Sequence, residues 1–199
     1  MKSINQFYNK KKGELQSKLW WEKFISKRIW RLIHKRNNKI NDWFHKSSKY
    51  IIDYCLEQSI WTIVIGDNKE WKQWINLWKQ TNQNFTYIPY EKFKWFIEYK
   101  AKRVWIKVIR VNESYTSKID HIVWEKMCHQ EEYLWKRVKR WLFRSSLWFE
   151  YNSDVNGAIW IIRKYVDKLN KEVSETFYDL LESLGNRGHV DCPLRLNFN

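Results

Sequence analysis

Two short apolar runs with a helical pattern between them restrict the fold more than any other feature of this sequence. Residues 62–65 and 106–111 are rich in isoleucine and valine, as buried strands are. Between them, Pro89 suits the first turn of a helix, and apolar residues follow at helical spacing up to Val104. Strands joined by such a helix normally lie parallel, so their carboxyl ends open on one edge of the sheet. We therefore expect an α/β fold with its functional site at that edge.

Two carboxylates lie where such a site would need them. Glu113 follows the second apolar run, at the end of the expected strand. Asp154 begins a stretch whose apolar residues recur at helical spacing up to Val166. Carboxylates at a strand end and at a helix start can converge on one divalent cation. The pair therefore predicts a metal-dependent active site.

The charge of the chain favours a polyanionic partner. The formal net charge is +15, and between Lys10 and Lys49 there are 13 basic residues against 3 acidic ones. This part, residues 10–58, has a helical pattern with an expected break near Asn37 and Asn38. A second basic cluster follows at residues 136–144. The predicted nucleic-acid contacts are Lys27, Arg28, Arg31, Lys35, Arg36, Asn82, Gln83, Lys136, Arg137, Lys139 and Arg140.

The three cysteines and the hydropathy pattern restrict the cellular compartment in which the protein is expected. Cys55, Cys128 and Cys192 form no CxxC pair, which favours a reducing compartment and disfavours a disulfide framework. The only cluster resembling a zinc site, His121 with Cys128 and His129, is poorly spaced, so no zinc is expected. No run of about 18 apolar residues and no apolar leader is present, so we expect no membrane partner and a cytoplasmic, nucleoid-associated protein.

The chain has 15 tryptophans and 5 glycines, an unusual ratio. Several tryptophans fall where a backbone usually takes glycine, such as Trp105 between an expected helix and strand. One interpretation is that UGA codons specifying glycine were translated as tryptophan, and the alternative is a truly tryptophan-rich surface. We expect the version with glycine at all of these positions to fold better. The positions are Trp61, Trp74, Trp78, Trp105, Trp135, Trp141, Trp148 and Trp160.

A series of short motifs, in order along nearly the whole chain, resembles the TnpB (OrfB) family. This family consists of transposon-encoded RNA-guided nucleases related to type V CRISPR effectors. The motifs are residues 2–12, 82–85, 88–89, 98–101, 113–118 and 154–158, with Arg187-Gly188 and residues 193–195 in the tail.

The resemblance implies a RuvC-like core, a variant of the RNase H fold, in which carboxylates hold two Mg²⁺ or Mn²⁺ ions. Asp154 corresponds to the last catalytic aspartate. Many relatives carry their glutamate at the position of Gly66, and Glu113 then takes its place from the neighbouring strand, with Asp67 as a weaker substitute. The first catalytic aspartate has no counterpart in this chain, and no aspartate precedes Asp42.

The expected organisation is one partial RuvC-like core that lacks its N-terminal strands. It comprises a basic helical arm (10–58), a strand–helix–strand core (62–111), an insert (114–153), a catalytic helix (154–168) and a C-terminal helix and tail (169–199). The expected function is that of an RNA-guided DNA endonuclease, here truncated and catalytically incomplete, with guide RNA and target DNA as partners. The alternatives are a non-enzymatic nucleic-acid-binding remnant and an accessory or regulatory partner of a transposase encoded nearby.

Overall fold

The computed structural model describes residues 2–19, 25–67, 88–114, 119–120, 123, 131–134, 136–139, 142–148, 150–169 and 175. The chain divides into two compact units. The first comprises Met1–Thr62, Glu70–Lys107 and Phe198–Asn199, and the second comprises Ile63–Lys69 and Val108–Asn197.

The first unit begins with two helices, α1 (Lys2–Gln16) and α2 (Lys27–Glu57). Ser26 caps α2, because its hydroxyl accepts a hydrogen bond from the Ile29 N–H at 3.3 Å. The break expected near Asn37 and Asn38 is wrong, since α2 continues through both residues for 31 residues in all. An asparagine inside a helix costs well under ~1 kcal/mol, which the packing of a long apolar face easily offsets.

A third helix, α3 (Tyr90–Arg103), packs on α2 through aromatic side chains. Phe44 of α2 lies 5.1 Å from Phe93 and 6.2 Å from Phe96, measured between ring centroids. Lys100 of α3 reaches α2, and its Nζ donates to the His45 carbonyl at 2.6 Å and to the Ser48 hydroxyl at 2.7 Å. The predicted apolar face of this helix therefore packs against α2 within the first unit.

The end of α3 forms a Schellman motif. The Ile106 N–H donates to the Ala101 carbonyl at 3.0 Å, and the Trp105 N–H donates to the Lys102 carbonyl at 3.5 Å. Between these bonds Trp105 has a φ of 62°, and its side chain is 90% exposed. Residue 105 thus adopts the left-handed conformation that glycine adopts without strain.

Strands β1 (Thr62–Asp67) and β2 (Lys107–Asn112) form a two-stranded sheet among the described residues. The Lys107 N–H donates to the Trp61 carbonyl at 2.9 Å, and the Glu113 N–H donates to the Asp67 carbonyl at 3.4 Å. Both bonds join residues 46 positions apart, and only parallel strands have such a constant offset. The strands are parallel as expected, but β1 is half-buried along its length rather than fully buried.

The second unit also contains a three-stranded antiparallel sheet that the sequence pattern did not reveal. Its strands are β3 (Lys136–Lys139), β4 (Leu142–Arg144) and β5 (Glu150–Asn152), in the order β3-β4-β5. The turn before β5 contains Trp148, which has a φ of 67° and is 79% exposed. Trp148, like Trp105, therefore occupies a conformation that favours glycine.

Helix α4 (Ser153–Val166) follows β5 directly; it begins one residue earlier and ends two residues earlier than the predicted catalytic helix (154–168). Asn156, Trp160, Arg163 and Val166 are its buried residues. The predicted C-terminal helix and tail (169–199) lie outside the described residues, apart from Leu169 and Glu175. No helix in the described part of the chain is long and apolar enough to cross a membrane.

Candidate metal centre and nucleic-acid surfaces

The carboxylate of Glu113 lies directly over Gly66. A β-carbon added to Gly66 would be 2.5 Å from Glu113 Oε2 and 2.7 Å from Ile161 Cδ1, both closer than such contacts occur in proteins. Any side chain at position 66 would therefore displace Glu113 or Ile161. The end of β1 carries no side chain at this point, and the glutamate of the neighbouring strand fills that space.

Helix α4 places Asp154 on the same face that meets Glu113. Asp154 and Ile161 are seven residues apart in α4 and therefore share one helix face, about 10 Å apart along the axis. Asp154 is exposed in the first turn, and the Asn152 side chain accepts a hydrogen bond from its N–H at 2.8 Å. Glu113 thus lies beside the face of α4 that carries Asp154. Asp154 is two turns closer to the start of α4 than Ile161, the helix residue nearest Gly66.

Lys164 holds the backbone on both sides of Glu113. Its Nζ donates to the Asn112 carbonyl at 2.9 Å and to the Ser114 carbonyl at 2.6 Å. Burial lowers the pKa of Lys164, and the negative charge of Glu113 opposes that shift. Lys164 therefore fixes the loop that presents Glu113 and places a positive charge near its carboxylate. The sequence alone does not single out Lys164, since a lysine in the last turn of a helix is common.

Asp67 points away from this face. Residue 66 faces α4, and successive side chains of a strand alternate between the two faces of the sheet. On the other face, Asp67 lies 3.7 Å from Arg110 Nη1. The structure therefore brings Glu113, and not Asp67, to the face of α4 that carries Asp154.

The donor set is compatible with a hard divalent cation, because Mg²⁺ is typically bound by one or two carboxylates while it keeps several waters. Within the described ranges, no group of three or more potential metal-ligating side chains comes together. His121, Cys128 and His129, the poorly spaced cluster of the sequence analysis, lie outside those ranges.

Buried polar contacts that the sequence does not reveal attach β5 and α4 to the segment around Asp120. Asn156 Nδ2 and Trp160 Nε1 both donate to the Ile119 carbonyl, at 2.9 and 2.7 Å. The Tyr151 hydroxyl donates to Asp120 Oδ1 at 2.8 Å. Trp160 is only 1% exposed, so it behaves as a core residue, unlike Trp105 and Trp148. Its burial depends on contacts distant in sequence, which spacing alone does not reveal.

The α2 residues predicted to contact nucleic acid differ in exposure and in their contacts within the chain. Lys27, Arg28, Arg31 and Lys35 are exposed, as a surface that contacts phosphates requires. Arg36 is half-buried: its Nε donates to Asn5 Oδ1 at 2.8 Å, and its guanidinium lies 5.1 Å from the Tyr8 ring centroid. Arg36 therefore links α2 to α1.

The second basic cluster forms part of the small antiparallel sheet. Lys136, Arg137 and Lys139 lie on β3, an outer strand of the described sheet, and all of them are exposed. Arg140, Asn82 and Gln83, the other predicted contacts, lie outside the described residues.

Comparison with known proteins finds a matching family model in each half of the chain. Residues 1–72 match the family model OrfB_IS605, described as a probable transposase. Residues 90–161 match the family model of the Cas12f1-like TNB domain.

A relative and a solved structure agree with these matches. A TnpB-like protein of Methanocaldococcus jannaschii is 30% identical over 121 residues, which are 60% of this chain and 43% of that protein. The structure of a Cas12f1–sgRNA–target DNA complex matches with a TM-score of 0.54 and 23% identity, covering 78% of this chain and 40% of that one. The chain thus spans less than half the length of these proteins, and its mixed α/β fold is similar to Cas12f1. These matches confirm the resemblance to the TnpB (OrfB) family that the motifs indicate.

Proposed function

We propose that the chain is the metal-binding part of a RuvC-like, RNA-guided DNA endonuclease, with Glu113 and Asp154 as ligands of Mg²⁺ or Mn²⁺. The observation that carries this proposal is the carboxylate of Glu113 over Gly66, against the face of α4 that begins with Asp154. Because Gly66, the last but one residue of β1, has no side chain, it leaves room for the glutamate that follows β2. The site then keeps a strand-end carboxylate opposite a helix-start carboxylate.

The cation, when bound between these carboxylates, would stabilise charge on the phosphate and lower the pKa of a bound water. The protein's own contribution is positional. Lys164 fixes the backbone carbonyls around Glu113, and Asn152 fixes the first turn of α4 around Asp154. Because Asp154 lies about 10 Å along α4 from Ile161, a shared cation requires the carboxylate of Glu113 to turn towards the start of the helix.

The nucleic-acid partners are proposed from the charge and from the family. The exposed cations of α2 and β3 suit contact with a phosphate backbone, while sequence would be read by pairing with a guide RNA. Glu113 and Asp154 alone would form a weak metal site, so with these two ligands the chain is expected to bind metal with low affinity and to cleave slowly or not at all.

Mn²⁺ titration followed by electron paramagnetic resonance tests the metal centre directly. Glu113→Gln and Asp154→Asn are each expected to weaken Mn²⁺ binding at least tenfold. Asp67→Asn is the matched control, because Asp67 lies on the opposite face beside Arg110 and its substitution is expected to leave the affinity unchanged. Equal Mn²⁺ affinity in all four proteins would refute the proposed centre.

A further inference from the structure

A small groove lies between α1 and α2 in the first unit. Its volume is about 170 Å³, less than the ~300–1,000 Å³ typical of sites for drug-sized ligands. Ile4, Phe7 and Tyr8 of α1 line one side, and Leu32 of α2 contributes to the other. The groove is therefore large enough for one planar ring but too small for a peptide helix.

The aromatic rings of this groove differ in how they are held. Tyr8 is 8% exposed, and the charged groups of Arg36 and Lys12 lie 5.1 and 5.9 Å from its ring centroid. Phe7 is 56% exposed, although burial of a phenylalanine ring normally stabilises a protein. Tyr8 thus forms a fixed wall, while the ring of Phe7 remains accessible to a ligand.

The rim of the groove is basic. Lys35 and Lys39 lie one turn apart on α2, about 5–6 Å between their β-carbons, and both are exposed. Neither forms an ion pair with any residue that the structure describes. No acidic residue is among those that line the groove. Its ligand should therefore combine a flat apolar face with a negative charge close by.

We propose that this groove binds one unstacked base of a single-stranded nucleic acid, with the base on Phe7 and the adjoining phosphates on Lys35 and Lys39. A nucleotide meets both requirements, because bases stack on aromatic side chains and phosphates bind lysines in a sequence-tolerant way. The inference rests on the proposed function only for the class of partner. It is independent of the metal centre, which lies in the second unit.

The test uses short single-stranded RNA and DNA oligonucleotides with one 2-aminopurine, whose fluorescence falls when the base stacks on an aromatic ring. Phe7→Ala is expected to remove that quenching and to weaken binding about 5- to 150-fold. Phe7→Tyr should restore both properties. Phe7→Leu, which is apolar but not aromatic, should behave like Phe7→Ala. Circular dichroism of each variant checks that the helices remain folded.

Three further measurements separate the base from the backbone. An oligonucleotide with an abasic site in place of 2-aminopurine should bind wild type and Phe7→Ala equally. A fully paired duplex should show no quenching by Phe7, since its bases are already stacked. Lys35→Ala or Lys39→Ala should reduce the slope of log affinity against log salt by about one, while Phe7→Ala should leave that slope unchanged.

The outcomes also distinguish this groove from the proposed nuclease. If Phe7→Ala and wild type bind the 2-aminopurine oligonucleotides equally with the same fluorescence, the groove is not a base site, and the metal centre is unaffected. If Asp154→Asn loses Mn²⁺ but keeps quenching by Phe7, the two sites are separate, as we propose. The RNA and DNA arms show which strand the groove prefers.

Discussion

Replacement of Trp105 by glycine should stabilise the protein. Residue 105 follows the C-cap of α3, between the two hydrogen bonds of the Schellman motif, with a φ of 62°. A side chain in this left-handed region places its β-carbon too close to the carbonyl oxygen, which costs about 1–2 kcal/mol for ordinary residues. Glycine has no β-carbon and no such cost.

The expected gain in stability is the relieved strain minus the stabilisation that the tryptophan side chain contributes. The side chain of Trp105 is 90% exposed, so its removal forfeits almost no burial. Glycine makes the unfolded chain more flexible, which offsets about 0.4–1 kcal/mol. The net expectation is a stabilisation of about 1 kcal/mol, which for a chain of this length raises Tm by about 2–4 °C.

Thermal unfolding of Trp105→Gly and Trp105→Ala beside wild type decides the point. Alanine removes the indole but keeps the β-carbon, so Trp105→Ala should melt close to wild type, while Trp105→Gly should melt higher. The reasoning fails if the two variants have the same Tm, because the β-carbon would then carry no strain.

Three other substitutions have outcomes that follow from contacts within one unit: Trp160 and Gly66 lie in the second unit, and Lys100 lies in the first. Trp160→Gly should destabilise by about 3 kcal/mol or more in urea denaturation, since it empties a site that is 1% exposed; an unchanged midpoint would contradict this. Gly66→Ala should cost about 1–3 kcal/mol by overpacking, and a double-mutant cycle should show a smaller cost in a Glu113→Ala background. Burial lowers the pKa of Lys100, so the folded state releases this proton at a lower pH than the unfolded chain does. The free energy of unfolding of wild type relative to Lys100→Met should therefore rise with pH from that lowered pKa to about 10.5, and a fall over the same range, measured by urea denaturation, would refute the sign.

The parts of the fold that could be predicted are those where one pattern dominates locally. The apolar spacing of α3 and α4 fixed their positions to within a residue or two, and a strand on each side of α3 predicted the parallel pair. The predicted break near Asn37 was wrong because the low helix propensity of asparagine rarely outweighs the packing energy of a 31-residue helix. Strands β3–β5 have three or four residues each, too few for a strand pattern to be recognised.

The candidate site was predictable only in part for a related reason. Glu113 and Asp154 were identifiable because one follows a strand and the other begins a helix. The contacts of Lys164 with the carbonyls of Asn112 and Ser114 join residues about 50 positions apart. Only the folded chain brings those residues together. The same applies to Trp160, which is 1% exposed because of contacts with residues distant in sequence.

The space over Gly66 also restricts how such a site can change during evolution. A glutamate at position 66 and one at position 113 would compete for the same volume beside Ile161, and their charges would repel. A lineage that moves the carboxylate from one strand to its neighbour must therefore lose the first side chain before, or together with, the arrival of the second. Intermediates with both glutamates would be unstable and those with neither would lack the proposed metal ligand, so we expect the two arrangements to persist as separate lineages.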